Sequence, residues 1–153
     1  MGEHGCVLNI NHEPVTIREN EVAIAEKAWA EGYIKPSPPK NRTGKRVAVI
    51  GSGPAGMAAA DILNKKGHLV SLFEKDEKAG GLLRYGIPDF KLNKTTIDRR
   101  LDLMVKEGLN LQTGIYIGRD IPAASLVSQF DAICITTGCG KPRDLETEGR
   151  DLR

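Results

Sequence analysis

"VAVIGSGPAGMAAADIL", residues 47–63, decides the fold. Its first four residues are apolar and mostly β-branched, as a strand buried on both faces requires. Gly51, Gly53 and Gly56 then spell G-x-G-x-x-G. Pro54 suits the first turn of a helix, where its missing N–H costs nothing. The helix is expected to run to about Lys66, with Gly67 as its stop. A strand, a glycine turn and a helix in this order can hold a pyrophosphate. The first glycine permits the tight turn, the second lets the backbone approach the pyrophosphate, and the third lets helix and strand pack closely. The N–H groups at the start of the helix then face the anion.

Downstream, "HLVSLFE" reads as a second strand ending in Glu74, eighteen residues past Gly56. A carboxylate there can accept hydrogen bonds from adenosine ribose hydroxyls. It would also repel a 2′-phosphate, which argues against NADP at this turn. NAD and FAD both satisfy the pattern so far. The next residues favour FAD: in "EKDEKAGGLLRYG", Gly80 and Gly81 stand six and seven residues past Glu74. Two adjacent glycines let a loop backbone lie close against a ligand. An NAD domain normally passes from its second strand straight into another crossover helix, whereas a flavin needs a second wall.

The rest of the chain extends this pattern. Residues 1–16 show no clear periodicity. A helix is expected from Ile17 to about Glu31, opened by a T-x-x-E capping box of Thr16 and Glu19, with Ile17, Ile24 and Ala28 on one face. "KPSPPKNRTGK", residues 35–45, is a proline-stiffened connector. Ile97, Leu101, Met104 and Val105 mark a helix ending at Gly108. "LNLQTG" and "IYIG" are short strand candidates, "PAASLVSQF" a short helix, and "DAICITTG" another buried strand. Strands alternating with helices imply right-handed crossovers and a parallel sheet. The expected fold is therefore α/β, a Rossmann-like parallel sheet preceded by a short helical segment.

Composition excludes several functions. A hydrophobic fraction of 40% and a charged fraction of 27% belong to a soluble globular protein. The net charge of +2 is too small to argue for nucleic acid or an anionic membrane. No apolar run approaches the ~18 residues of a membrane span. The start "MGEHGC" lacks a basic region followed by an apolar stretch, so no signal peptide is expected and a cytoplasmic location is. Three cysteines are too few for a secreted disulfide scaffold. Cys134 and Cys139, spaced across a strand end, lack redox geometry. His4, Cys6 and His12 lack the regular spacing and fourth ligand of a metal site. No Ser/His/Asp or paired-carboxylate arrangement suggests a catalytic side chain.

The motifs "RTGKRVAVIGSGPAGMAAADIL", "GHLVSLFEKDEKAGGLLRYGIPDFKL", "DRRLDLMVKEGLNL" and "ITTGCGKPRDL" together carry a family resemblance. The chain resembles part of the small, FAD-containing subunit of NADPH-dependent glutamate synthase. It is similar also to the flavoprotein modules of dihydropyrimidine dehydrogenase and of NADH-dependent ferredoxin:NADP oxidoreductases. "CVLNINHEPVTIRENEVAIAEKAWAEGYIKPSPP" resembles the segment just before the flavin domain, so the likeness covers nearly the whole chain.

The resemblance implies that Gly51, Gly53, Pro54, Ala55 and Gly56 hold the FAD pyrophosphate and that Glu74 binds the adenosine ribose. Lys75 beside it is counted with the cofactor-binding residues. Gly81 and Leu82 would line the ribityl and flavin side, Lys91 would lie near the phosphates, and the backbone of Ile117 would meet the adenine. Thr137 and Gly138 match a "TG" turn that closes over the cofactor.

It implies two parts: residues 1–40, the end of a helical iron–sulfur domain with its connector, and residues 41–153, the first half of a split FAD-binding domain. Cys6 stands where the family has the last cysteine of a set, and a [4Fe–4S] centre needs about four thiolates. The iron–sulfur centres and the NADPH turn are accordingly expected only in the full-length protein, and the isolated fragment is expected to be inactive. The partner implied is the large subunit of glutamate synthase. An NAD(P)-binding domain of another oxidoreductase, or a nucleotide-binding module without turnover, are the alternatives.

Overall fold

The computed structural model describes residues 2–140 and 147–150. The chain divides into two compact units, Met1–Lys35 and Pro36–Arg153. Residues 141–145 of the motif "ITTGCGKPRDL" lie outside the described residues.

The first unit carries two 3-10 turns, Glu3–Gly5 and Val7–Ile10, and helix α1, Ile17–Ala30. The expected helix is present, but its capping box is not. Thr16 sits at φ −75° and ψ 64° and makes no side-chain cap. That is outside the extended conformation from which an N-cap hydroxyl reaches the first-turn N–H groups. Glu19 instead lies 3.3 Å from Arg18 Nη1. The stripe of Ile17, Ile24 and Ala28 is not a packed face within this unit: α1 buries no residue, and Ile24 is 71% exposed.

The second unit is a parallel sheet between helices. Its elements are β1 (Arg46–Ile50), α2 (Pro54–Lys65), β2 (Leu69–Phe73), the single turn α3 (Leu82–Tyr85), α4 (Lys94–Lys106), β3 (Asn110–Gln112), α5 (Ala123–Gln129) and β4 (Ala132–Ile135). The strand order is β3-β2-β1-β4, and every pairing is parallel. This is the Rossmann-like sheet expected from the sequence. β1 lies inside it, pairing Ala48 with Ser71 on one side and with Ile133 on the other.

Strand alternation feeds two cores. Val47 and Val49, with Val70 and Leu72, pack with Ala60, Met104 and Leu109 on one face. Ala48 and Phe73 pack with Leu126 on the other, bordered by Ile50, Ile115 and Ile117. The Phe73 and Phe130 rings meet edge to face with centroids 6.0 Å apart. α2 buries the small stripe of Gly56, Ala60 and Asn64, which lets it lie close to the sheet. α4 is capped by Asn93, whose side chain accepts from Thr95 N at 3.0 Å. It buries Ile97, Leu101, Leu103 and Met104, while Val105, expected on that face, is 44% exposed.

Two expected strands differ. "IYIG" contains only an isolated bridge between Ile117 and Ile121. Asp120 folds this segment back into a turn, its carboxylate accepting from Tyr116 N at 2.7 Å. β4 forms, but among the described residues it pairs only with β1, and Ile135 stays 73% exposed rather than buried.

The connector is held at the junctions where α2 leads into β2 and α4 into β3. Arg42 donates to Asn64 Oδ1, His68 O and Glu107 O at 2.7–2.8 Å. Thr43 N donates to Gly67 O, and Ser37 N donates to Glu107 Oε1. These contacts cluster at the amino ends of the strands, leaving the carboxyl ends for the glycine turn. Among the described residues no helix is long and apolar enough to cross a membrane.

Candidate dinucleotide site

The site is built at the carboxyl end of β1, where ligands bind in open α/β sheets. Gly51 leaves the strand at φ 98°, a conformation that glycine adopts without strain. A Cβ on Gly51 would lie 2.5 Å from Thr136 O. Thr136 seals the turn: its hydroxyl lies 3.0 Å from Ile50 O and 2.9 Å from Gly51 O. Gly56 is the packing glycine, since a Cβ there would sit 1.8 Å from Gly51 O.

Gly53 is different. A Cβ on it would meet nothing within 4 Å, so its bare face opens outward. Gly53 is also the N-cap of α2 and brings no side chain to the helix terminus. Pro54 has no N–H, and the N–H groups of Ala55 and Gly56 have no helical acceptor. An uncovered glycine before a helix N-terminus with free donors is an anion cradle.

Glu74 follows the last residue of β2 and is only 5% exposed. Its Oε2 accepts from Ser52 N at 3.0 Å and from Ser52 Oγ at 2.5 Å, and its Oε1 accepts from Asp76 N at 2.9 Å. Ser52 Oγ in turn accepts from Gly80 N at 3.0 Å. The second glycine loop therefore reaches the first. Gly81, at φ 51°, lies so near the turn that a Cβ on it would be 2.8 Å from Gly53 Cα. The loop does not float free. It winds into α3, where Leu83 N and Arg84 N donate to Gly80 O and Gly81 O. Arg84 bonds to Ala79 O at 2.6 Å and pairs with Asp98 of α4 at 2.5 Å. Leu83 packs on Ile97 and Leu101.

Gly51, Gly53, Pro54, Ala55, Gly56, Glu74 and Gly81 thus converge. Leu82 follows directly and is 71% exposed. Thr137 passes behind the turn, its Cα 3.1 Å from the position of a Gly51 Cβ, and Gly138 follows at φ 69°. Ile117 sits past the Ile115 N bond to Glu74 O, against the Ala48–Phe73 core. Lys75 turns to Asp76, with Nζ 2.7 Å from Oδ1, which raises the lysine pKa. Lys91 is exposed, and only its backbone, bonded to Pro88 O, ties it to the loop. No hydrogen bond among the described residues joins Lys91 to the glycine turn. The sequence reading missed Ser52 and Thr136. Ser52 lies inside the glycine motif and Thr136 follows the last residue of β4, and each bonds across a long sequence separation. Among the described residues, no group of three or more His, Cys, Asp or Glu is placed to hold a metal ion.

Over 150 residues, 98% of its length, the chain is 49% identical to the NADPH glutamate synthase small chain of Mycobacterium tuberculosis. The chain is a relative of glutamate synthase small chains. It is 50% identical over 151 residues to the small chain of Bacillus subtilis, and 48% identical over 153 residues to the NADH glutamate synthase of Schizosaccharomyces pombe. It spans about a third of the two bacterial small chains, 31% of each, and 7% of the yeast protein. The NAD(P)-binding Rossmann-like domain family matches residues 49–104. Among solved structures, FprA from Mycobacterium tuberculosis in complex with NADPH superposes with a TM-score of 0.62 at 22% identity. That likeness covers 71% of this chain and 26% of FprA. A 2-naphthoyl-CoA reductase gives 0.58 at 29% identity, covering 83% of this chain and 18% of the reductase.

Proposed function

We propose that the chain is the FAD-binding portion of an NADPH-dependent glutamate synthase small subunit. In that protein electrons pass from NADPH through FAD and iron–sulfur centres to a large subunit that forms glutamate. The observation that carries this reading is the double glycine wall. Gly53 presents a bare face beside free helix donors, and Gly81 closes against its backbone. The identity of about half with glutamate synthase small chains, over nearly all of this chain, supports it. The surroundings fit the cofactor: a cradle for two phosphates, a buried carboxylate for the ribose and an apolar exposed Leu82 on the far side.

In this reading Gly51, Gly53, Pro54, Ala55 and Gly56 hold the pyrophosphate and Glu74 orients the adenosine ribose, with Lys75 at the rim. Gly81 and Leu82 line the ribityl side, Ile117 the adenine side, and Thr137 and Gly138 the closing turn. Lys91 is the basic residue assigned to the neighbourhood of the phosphates. Residues 1–40 form the end of the iron–sulfur domain with its connector, and residues 41–153 form the first half of the split FAD domain. FAD, when bound, supplies the redox chemistry, while the protein supplies position and electrostatics. NADPH and the [4Fe–4S] centres engage other parts of the full-length protein.

The test is FAD retention. Purified chain mixed with FAD and passed through gel filtration is expected to carry flavin absorbance with the protein peak. The match to an NAD(P)-binding family favours a second reading, a nicotinamide dinucleotide on the same turn. Displacement of FAD by NAD at equal concentration would select that reading.

A further inference from the structure

Ser52 is fully buried, yet it belongs to none of the three glycine positions and touches no solvent. Its hydroxyl has one proton to donate and lone pairs to accept with. Gly80 N can only donate and the Glu74 carboxylate can only accept. The chain of bonds therefore has one direction: Gly80 N–H to Ser52 Oγ at 3.0 Å, then Ser52 O–H to Glu74 Oε2 at 2.5 Å. Ser52 N adds a second donor to the same oxygen at 3.0 Å.

An ionised carboxylate offers about four acceptor positions, two on each oxygen. On Glu74, among the described residues, Oε2 is filled by Ser52 and Oε1 holds only Asp76 N at 2.9 Å. A single position remains, on Oε1. We propose that Ser52 is a positioning residue: it saturates one oxygen of Glu74 so that the other takes one ribose hydroxyl, and it fixes Gly80 so that the second glycine wall stands before any ligand arrives. This rests on the dinucleotide reading above, and it assigns to Ser52 the coupling between the adenosine end of the site and the Gly80–Gly81 wall.

The test uses the full chain, with ADP and 2′,3′-dideoxy-ADP as probes titrated by calorimetry into wild type and Ser52→Ala. Wild type is expected to prefer ADP by about tenfold, the effect of one hydrogen bond to a charged acceptor. In Ser52→Ala the backbone N–H of residue 52 still reaches Oε2, but the shorter hydroxyl bond that fills this oxygen and fixes its rotation is gone, so the preference is expected to fall to about twofold or less. A preference that stays near tenfold in the variant overturns the proposal, even if both probes bind less tightly, since uniform weakening is what lost packing produces. Wild type binding both probes equally removes the ribose role of Glu74 and with it the role of Ser52. Wild type binding neither refutes the dinucleotide reading itself. A second measurement needs no variant: the Gly80 amide in the ligand-free chain is expected to exchange slowly with solvent. Exchange at the rate of an open loop overturns the preformed wall.

Discussion

Both donors of Ser52, its N–H and its hydroxyl, converge on the same oxygen of Glu74, at 3.0 and 2.5 Å. This pair joins two segments that the sequence keeps 22 residues apart. It also gives Glu74 two duties, one toward the ligand and one toward the fold.

The second duty sets the expected cost of removing it. Glu74→Ala leaves Ser52 N, Ser52 Oγ and Asp76 N without their acceptor. An unpaired buried donor costs about 1–3 kcal/mol, so even at the low end of that range the three together are expected to cost about 3 kcal/mol. Calorimetric melting is expected to show a midpoint lower by about 6–12 °C. A variant that melts with the wild type would mean water replaces the carboxylate without loss.

Gly53 and Gly56 separate ligand from fold. Gly53→Ala adds a methyl where nothing lies within 4 Å, at an ordinary φ of −63°. Its melting temperature is expected to stay within about 3 °C of wild type, while FAD affinity drops by at least about tenfold because the methyl enters the phosphate cradle. Gly56→Ala places a Cβ 1.8 Å from Gly51 O, which forces helix and turn apart. That variant is expected to lose about 3 kcal/mol or more in denaturant unfolding. Equal stabilities for the two variants would contradict this division.

Arg42 offers the opposite contrast. It bonds Asn64, His68 and Glu107 at the amino ends of the strands, away from the turn. Arg42→Ala is expected to cost about 2–4 kcal/mol of stability in urea titration. FAD affinity, measured well below the melting transition, is expected to change by less than about twofold.

Asp120 supplies a pH signature. The Arg119 guanidinium and then the Tyr116 N–H hold its carboxyl down at about 2. A depressed folded pKa contributes stability above the unfolded value near ~3.9, and that contribution is lost as pH falls through the folded one. The turn from Tyr116 to Ile121 is therefore expected to loosen only between about pH 4 and pH 2. Carboxyl carbon NMR is expected to place the Asp120 midpoint near the lower end. In Arg119→Ala the midpoint should move up toward ordinary aspartate. An Asp120 that titrates normally in the wild type would refute the pairing.

Most of the site was legible because glycine states its backbone geometry locally. Gly51 at φ 98° and Gly81 at φ 51° occupy conformations that few other residues tolerate, and the continuous apolar run before Gly51 marks a strand buried on both faces. The parallel sheet followed from the alternation of those strands with helices. What stayed hidden depends on residues distant in sequence. Nothing near Ser52 announces that its partners are Glu74 and Gly80. The "TG" turn drew attention to Thr137, yet the hydroxyl that seals the glycine turn belongs to Thr136. The capping box at Thr16 and Glu19 had the right spelling, but the backbone before α1 is not extended. "IYIG" has strand composition, but the carboxylate of Asp120 converts it into a turn.

The bond from Thr136 to Gly51 spans 85 residues, whereas β1 and β2 are joined by one short crossover. Contacts that close long loops form late, because chain entropy must be given up before they reward it. Refolding should therefore assemble β1, α2 and β2 first, leaving the glycine turn open on one side. The cradle becomes sealed only when β4 docks. A flavin added during refolding should accordingly bind in a phase slower than the gain of sheet signal.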